Sequence, residues 1–327
     1  MSTDPGDASS ERRKALRSAA SGIASFLVLV LACAYLVHAL EGVHWGDVWH
    51  SARSHAPWQL VGAVVFAAAS YLALTGYDVL ALRYLGRRLP YAQVGATAFM
   101  AYAIGHNVGA TALSAGAVRY RRYSALGLTG NEIARVIVFC TLTFALGGST
   151  LLGAASWLLP PADLAHLRVP LPSVHLVGGG LVAAAVAYLL LCAFRARLPL
   201  GRGRRIEAPS VSVAFGQLVL ATLELSFAAA TLYILLPPHA DVSFAAFLGT
   251  YLLALAAGLT SSVPGGLGVF EAVLIAGLAK PDNATLLGDI LVYRFVYYLL
   301  PLVAGGGLFA GHEWLSLRAR RRRPISR

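Results

Sequence analysis

The stretch Ser261–Glu271, SSVPGGLGVFE, lies in a run of Leu, Ala and Tyr, yet it holds a proline, three glycines and a carboxylate. Pro264 lacks an amide hydrogen and disfavours helix at Val263. Gly265, Gly266 and Gly268 allow positive φ and close backbone approach. A half-helix starting near Leu267 aims its free amides and positive dipole end outward, which suits a phosphate. Glu271 falls in its first turn or two. It is either a group in a pathway or a partner of the helix dipole. Glu224, in LATLELSFAAA, and Arg294, in DILVYRFVYYLL, are central in apolar runs and read as a buried charge pair or a pathway. His106 and Asn107, in GHNVGATALSAG, offer donors to a phosphate or a cap on a helix break. Arg119, Arg121 and Arg122 offer guanidinium forks to a phosphate, or simply mark a membrane boundary. Tyr120 and Tyr123 beside them suit an interfacial aromatic belt, and Asp78 and Arg135 near helix ends suit snorkelling.

Other chemistries find no support. There is no nucleotide loop, zinc spacing, haem signature or nucleophile elbow, and GRGRR (Gly201–Arg205) lacks the strand and helix of a phosphate loop. No cofactor, metal or enzymatic role is expected. Cys33, Cys140 and Cys192 all lie in apolar runs, without metal-ligand spacing. The net charge of +11 does not point to nucleic acid, because the bases sit at the ends of apolar runs.

The elements that position these residues follow from composition. The chain has 327 residues, 57% hydrophobic and 13% charged, about half the charge of a soluble domain. Spanning helices are expected at Ser18–Leu40, Trp58–Leu82, Glu132–Leu158, Val174–Phe194, Val211–Leu236 and Leu286–Gly311. Tyr91–Val118 and Val242–Ala279 are apolar but interrupted. Basic clusters fall at Arg12–Arg17, Arg83–Arg88, Arg119–Arg122, Arg195–Arg205 and Arg318–Arg327. The positive-inside rule puts all of them, and both termini, in the cytoplasm. Tyr91–Val118 must then enter and leave on one side, turning within Gly105–Gly116, and Val242–Ala279 must do the same from the other side, turning at SSVPGGLG. Irregular backbone at that depth is tolerated only inside protein or around a wet cavity.

The fold class expected is an all-α polytopic membrane protein of about six spanning helices plus two re-entrant broken hairpins. An internal repeat agrees with it. Laying Asn131–Leu158 on Gly288–Leu315 aligns Ile133 with Ile290, Leu142 with Leu299, Gly148 with Gly305, Leu151 with Leu308, Trp157 with Trp314 and Leu158 with Leu315. The same register sets Gly109 on Gly266, and Gln59-Leu60 falls near Gln217-Leu218. Helix, hairpin, helix run in opposite directions in the two halves, an inverted-topology pair. The division expected is a basic tail over 1–17, one transmembrane domain over 18–315 and a basic tail over 316–327. Within the domain, repeat one covers about 58–158, a linker helix 174–194 and repeat two about 211–315.

SAGAVRYRRYSALGLT (Ser114–Thr129) and SSVPGGLGVFEA (Ser261–Ala272) resemble the two signature regions of the flippase-like transmembrane region of lysylphosphatidylglycerol synthases, the multiple peptide resistance factor type, and its stand-alone relatives. The resemblance covers residues 18–315. It implies a bacterial inner-membrane protein that handles phospholipid, with phospholipids, and a lipid-modifying enzyme, as candidate partners. The full synthases carry an aminoacyltransferase domain after the membrane part. This chain ends in RARRRRPISR, so it is not expected to make lysyl-lipid itself. On this reading Arg119, Arg121 and Arg122 gather a headgroup. His106, Asn107, Gly265, Gly266, Gly268 and Glu271 hold it at mid-depth, and Glu224 or Glu271 meets a cationic group on it. The alternatives are a small-solute or ion transporter and a non-catalytic subunit of a lipid-modifying system.

Overall fold

The computed structural model describes residues 46, 53–108, 111–158, 171–194, 197–199, 205–237, 242–261, 264–278 and 283–321. The first expected helix, both ends of the chain, Cys33 and Gly109 lie outside them. Helix α1 spans Pro57–Tyr84, α2 Tyr91–Val108, α3 Thr111–Ala125, α4 Gly130–Leu158 and α5 Leu171–Ala193. A short antiparallel ribbon follows, β1 Arg197–Pro199 with β2 Arg205–Glu207, Leu198 opposite Ile206. Then come α6 Val211–Tyr233, α7 Phe244–Thr260, a 3₁₀ turn Pro264–Gly266, α8 Val269–Leu278, α9 Asn283–Arg294, a π turn Phe295–Leu299 and α10 Leu300–Arg321. The all-α class stands; the ribbon is a difference from the sequence reading, confined to the connection before α6.

Local chemistry sets the starts. Pro57 opens α1, where its missing N–H costs nothing, and the Ala56 amide donates to Gln59 Oε1 at 3.0 Å. Thr129 and Glu132 form a reciprocal capping box ahead of α4. The Glu132 amide donates to Thr129 Oγ1 at 3.3 Å, and the Thr129 amide to Glu132 Oε2 at 2.8 Å. Ser243 accepts from the Ala246 amide at the start of α7.

Among the described residues, Pro57–Tyr84, Gly130–Trp157, Val174–Ala193, Val211–Tyr233 and Thr285–Trp314 are long and apolar enough to cross a membrane. The last runs unbroken from α9 through the π turn into α10, so the final expected span is longer than the apolar run suggested. Exposed apolar side chains such as Val61, Leu176, Val186 and Leu308 face outward, as a hydrocarbon environment allows. Helices α1 and α6 run antiparallel: Gln59 Nε2 donates to Ile234 O at 2.9 Å, and Gly76 faces Leu220. A Cβ on Gly76 would stand 2.7 Å from Leu220 Cδ1, so glycine permits this approach.

Helices α2 and α3 pack as one hairpin, and α7 and α8 as another. Helix α8 has 10 residues, about 15 Å of rise, half a hydrocarbon core. The hairpins open toward opposite ends of the bundle. At one end Arg87 Nε, after α1, bonds Glu132 Oε1 at 2.6 Å, and Arg121 grips Glu313 of α10 at 2.9 and 2.7 Å. Its hydrogen bond to the Glu132 carboxylate holds the exposed Arg87 guanidinium above its usual pKa. At the other end His55 Nε2 lies 2.9 Å from Leu235 O and 3.0 Å from Asp289 Oδ1, midway along α9. The first interruption, between Val108 and Thr111, falls inside the expected Gly105–Gly116, and the return arm extends past the expected Val118 to Ala125.

Candidate functional site

A cavity of about 520 Å³ lies where the two hairpins meet. Its wall draws Tyr102 and His106 from α2, Arg119 from α3, Cys140 from α4, Glu224 from α6, Tyr251 from α7, Gly265 and Gly266 from the 3₁₀ turn, and Tyr297 from the π turn. Leu113, 77% exposed, and Leu259, 50% exposed, also line it, with Thr141 exposed beside them. The cavity therefore opens sideways, onto the apolar outer surface between α3, α4 and the end of α7. An outer groove of about 950 Å³ near Trp58, Phe66 and Phe244 has no ionisable group in its wall except the Tyr233 phenol.

In the first half, Arg119 Nε and Nη2 bond both oxygens of Asp78, at 2.9 and 2.8 Å. The Tyr123 hydroxyl donates to Asp78 Oδ1 at 2.8 Å, and the Arg119 guanidinium lies 4.6 Å over the Tyr102 ring. Three expectations are corrected here. Arg119 is not at a boundary but buried, because a full fork partner waits on α1. Asp78 does not snorkel; α1 continues past it to Tyr84, and it is fully enclosed. Tyr123 belongs to this buried network, while Tyr120 is exposed as a belt residue would be.

In the second half, the expected Glu224–Arg294 pair does not form. Arg294 Nε bonds Glu271 instead, and Nη1 donates to Gly265 O at 3.1 Å. Helix α8 starts two residues after Leu267, so Glu271 lies in its first turn and accepts the Gly268 amide at 2.8 Å. Glu271 therefore serves as cap and ion-pair partner together. Gly265 and Gly266, both at φ 62°, and Gly268, at φ 81°, adopt conformations that side chains resist. Glu224 is set against hydroxyls: Tyr77 donates to Oε2 at 3.1 Å, with Tyr297 at 3.4 Å and Ser70 at 3.5 Å from Oε1.

The halves are stitched at the tip. Asn107 Nδ2 donates to Ala103 O at 2.8 Å and to Tyr298 O at 3.3 Å, so it ties the last turn of α2 to the π turn. Tyr71 donates to Tyr297 O at 3.3 Å. His106 sits among the rings of Tyr71, Tyr102 and Tyr297, with centroids 6.1, 5.7 and 6.5 Å away. Arg122 is buried near the Arg121–Glu313 end and has no hydrogen bond at Nε among the described residues. Arg135 lies over the Tyr84 ring at 5.4 Å. Sequence reasoning missed Tyr77, Tyr102 and Tyr297; tyrosines at the centres of apolar helices were the available signal. No cluster of His, Cys, Asp and Glu suited to a metal occurs among the described residues.

Fold and site together define a polytopic helical membrane protein whose opposed hairpins enclose a mixed polar and apolar chamber. The chain matches the family profile of the lysylphosphatidylglycerol synthase TM region over residues 22–305, and it belongs to that family. It is 36% identical over 298 residues to the Synechocystis sp. protein slr0712, covering 90% of this chain and 92% of that one. It is 32% identical over 289 residues to the inner membrane protein YbhN of Escherichia coli, covering 87% and 89%. A phosphatidylglycerol lysyltransferase of Staphylococcus haemolyticus is 24% identical over 301 residues, 90% of this chain but 34% of the relative.

Proposed function

We propose that this protein carries phospholipid headgroups between the leaflets of a bacterial inner membrane, without chemical change, while the acyl tails stay in lipid. The observation that supports the reading most is the sideways opening. A chamber with charged and hydroxyl groups inside, and Leu113, Leu259 and Thr141 at its mouth, suits a molecule with one polar and one apolar end. Its volume is in the range that holds a small molecule, so a headgroup fits and two tails do not. Arg121 and Arg122 receive the headgroup at the arginine-rich end. His106, Gly265 and Gly266 then face it inside, in a shape kept by the Asp78–Arg119 and Glu271–Arg294 pairs and by Asn107 and Gly268. Repeat one (about 58–158) and repeat two (about 211–315) rock about this point, joined by the 174–194 linker, with both termini cytoplasmic.

The lysyltransferase relative favours one elaboration: phospholipid delivered to, or taken from, a lipid-modifying enzyme. The test is purified protein in vesicles with a fluorescent phospholipid that a membrane-impermeant reductant bleaches in the outer leaflet only. Wild type is expected to expose inner-leaflet label. Thr141→Trp and Leu259→Trp, at exposed positions that fold should tolerate, are expected to slow that exposure about tenfold or more. Equal rates with empty vesicles would sink the reading, and uptake of a water-soluble solute without lipid movement would replace it.

A further inference from the structure

Among the acidic side chains described, Asp78, Glu132, Glu271, Asp289 and Glu313 each have a cationic or histidine partner within ion-pair distance. Glu224 has none. It lies near the middle of α6, is 2% exposed, and meets only the hydroxyls of Ser70, Tyr77 and Tyr297. It also lines the central cavity. A carboxylate without a counter-charge at this depth is expensive, and neutralisation by a mobile cation is the usual remedy. The smallest such cation is a proton, and every hydrogen bond of the Glu224 carboxylate is to a hydroxyl, the group that passes protons on.

The surroundings fit that assignment. From α1 come Ser70 and Tyr77; from α2, His106; from α3, Arg119, already engaged by Asp78; from α4, Cys140; from α7, Tyr251; from the π turn, Tyr297 and Tyr298. Tyr188 of α5 is bonded to Gln217, and Arg294 of α9 to Glu271. Ser70 also lies 2.8 Å from the Tyr297 hydroxyl, so hydroxyls join α1, α6 and the π turn in one chain. That chain crosses the boundary between the halves.

We propose that Glu224 is a proton-carrying site that couples movement through the cavity to the proton gradient. The carboxylate takes a proton from water at one face, travels neutral while the cavity is closed, and releases the proton at the other face. No other bond is made or broken. The coupling rests on the lipid-moving reading, whereas the proton site does not.

Two measurements separate them. In the vesicle assay, a one-unit pH gradient coupled one proton per lipid should drive labelled lipid toward about tenfold asymmetry between leaflets. Glu224→Gln should give none, and Glu224→Asp should restore part of it. Lipid that equilibrates in wild type but ignores the gradient overturns the coupling. No lipid movement at all overturns the proposed function instead. Independently of activity, infrared difference spectra between acid and neutral pH should show a protonated-carboxyl band in wild type that Glu224→Gln removes. An unchanged band in that variant, with the melting temperature retained, overturns the proton site.

Discussion

At the residue scale, the described acidic side chains other than Glu224 are each matched to an arginine or a histidine. Asp78 and Arg119 are both enclosed and joined by two bonds, and the Tyr123 hydroxyl donates a third to Asp78. Removing one partner strands a buried charge, which costs about 3–5 kcal/mol. Arg119→Met is therefore expected to lower the melting temperature of the purified protein sharply. The double variant Asp78→Leu with Arg119→Met should lose less than the single changes summed, because no lone charge is left. Purely additive losses would show that the pair is not coupled. The sequence disclosed that these ionisable groups exist but not who meets whom. Arg294 chose Glu271, 23 residues away along the chain, over Glu224, 70 residues away. The helix faces that decide this depend on how hairpin and span pack, which no local pattern encodes. Asp78 was misjudged for a related reason. Distance from a helix end says little about burial when a hairpin covers that end.

At the scale of elements, helix positions were largely legible because apolar length and capping signals are local. The break at SSVPGGLG was also legible, since proline and three positive-φ glycines are local chemistry. The first hairpin's turn was legible only as the range Gly105–Gly116, since Gly105 sits comfortably in a helix that runs to Val108. The π turn at Phe295–Leu299 left no mark that was recognised, yet it turns the carbonyls of Tyr297 and Tyr298 to side chains of the first half. Such bulges gather at functional sites. Gly266 gives the test of the second tip. It holds φ 62°, and a Cβ there would stand 3.0 Å from Gly258 Cα. Gly266→Ala meets backbone strain of about 1–2 kcal/mol and a backbone contact with no flexible end to give way. The variant should melt several degrees lower, while Gly127→Ala, where an added Cβ meets open space, isolates the φ cost alone. Equal losses from both would mean that the tip is not tightly packed.

At the scale of the molecule, the open ends of the two hairpins lie at opposite ends of the bundle. The ends of α2 and α3 lie with Arg87, Glu132, Arg121 and Glu313; the start of α7 lies with His55, Leu235 and Asp289. If the membrane normal follows the long helices, one hairpin reaches the centre from each side. The cavity between them then lies where the two hairpin tips meet, the place a carrier of opposed repeats holds its substrate. On a cysteine-free background, single cysteines at Arg87, Ser124 and Arg318 should label from the same side of sealed vesicles. Cysteines at Ser54 and Trp58 should label from the opposite side. Because Arg87 precedes the first hairpin and Ser124 closes it, opposite labelling of those two would mean that Tyr91–Ala125 crosses, and the opposed-hairpin architecture would fall. Same-side labelling of all five would place α1 wrongly, since Trp58 and Arg87 flank its 28 residues, about 42 Å of helix. The arginine-rich end should be the cytoplasmic one, because Arg83, Arg87, Arg88, Arg121 and Arg122 crowd it while Arg53 is the described arginine nearest the other.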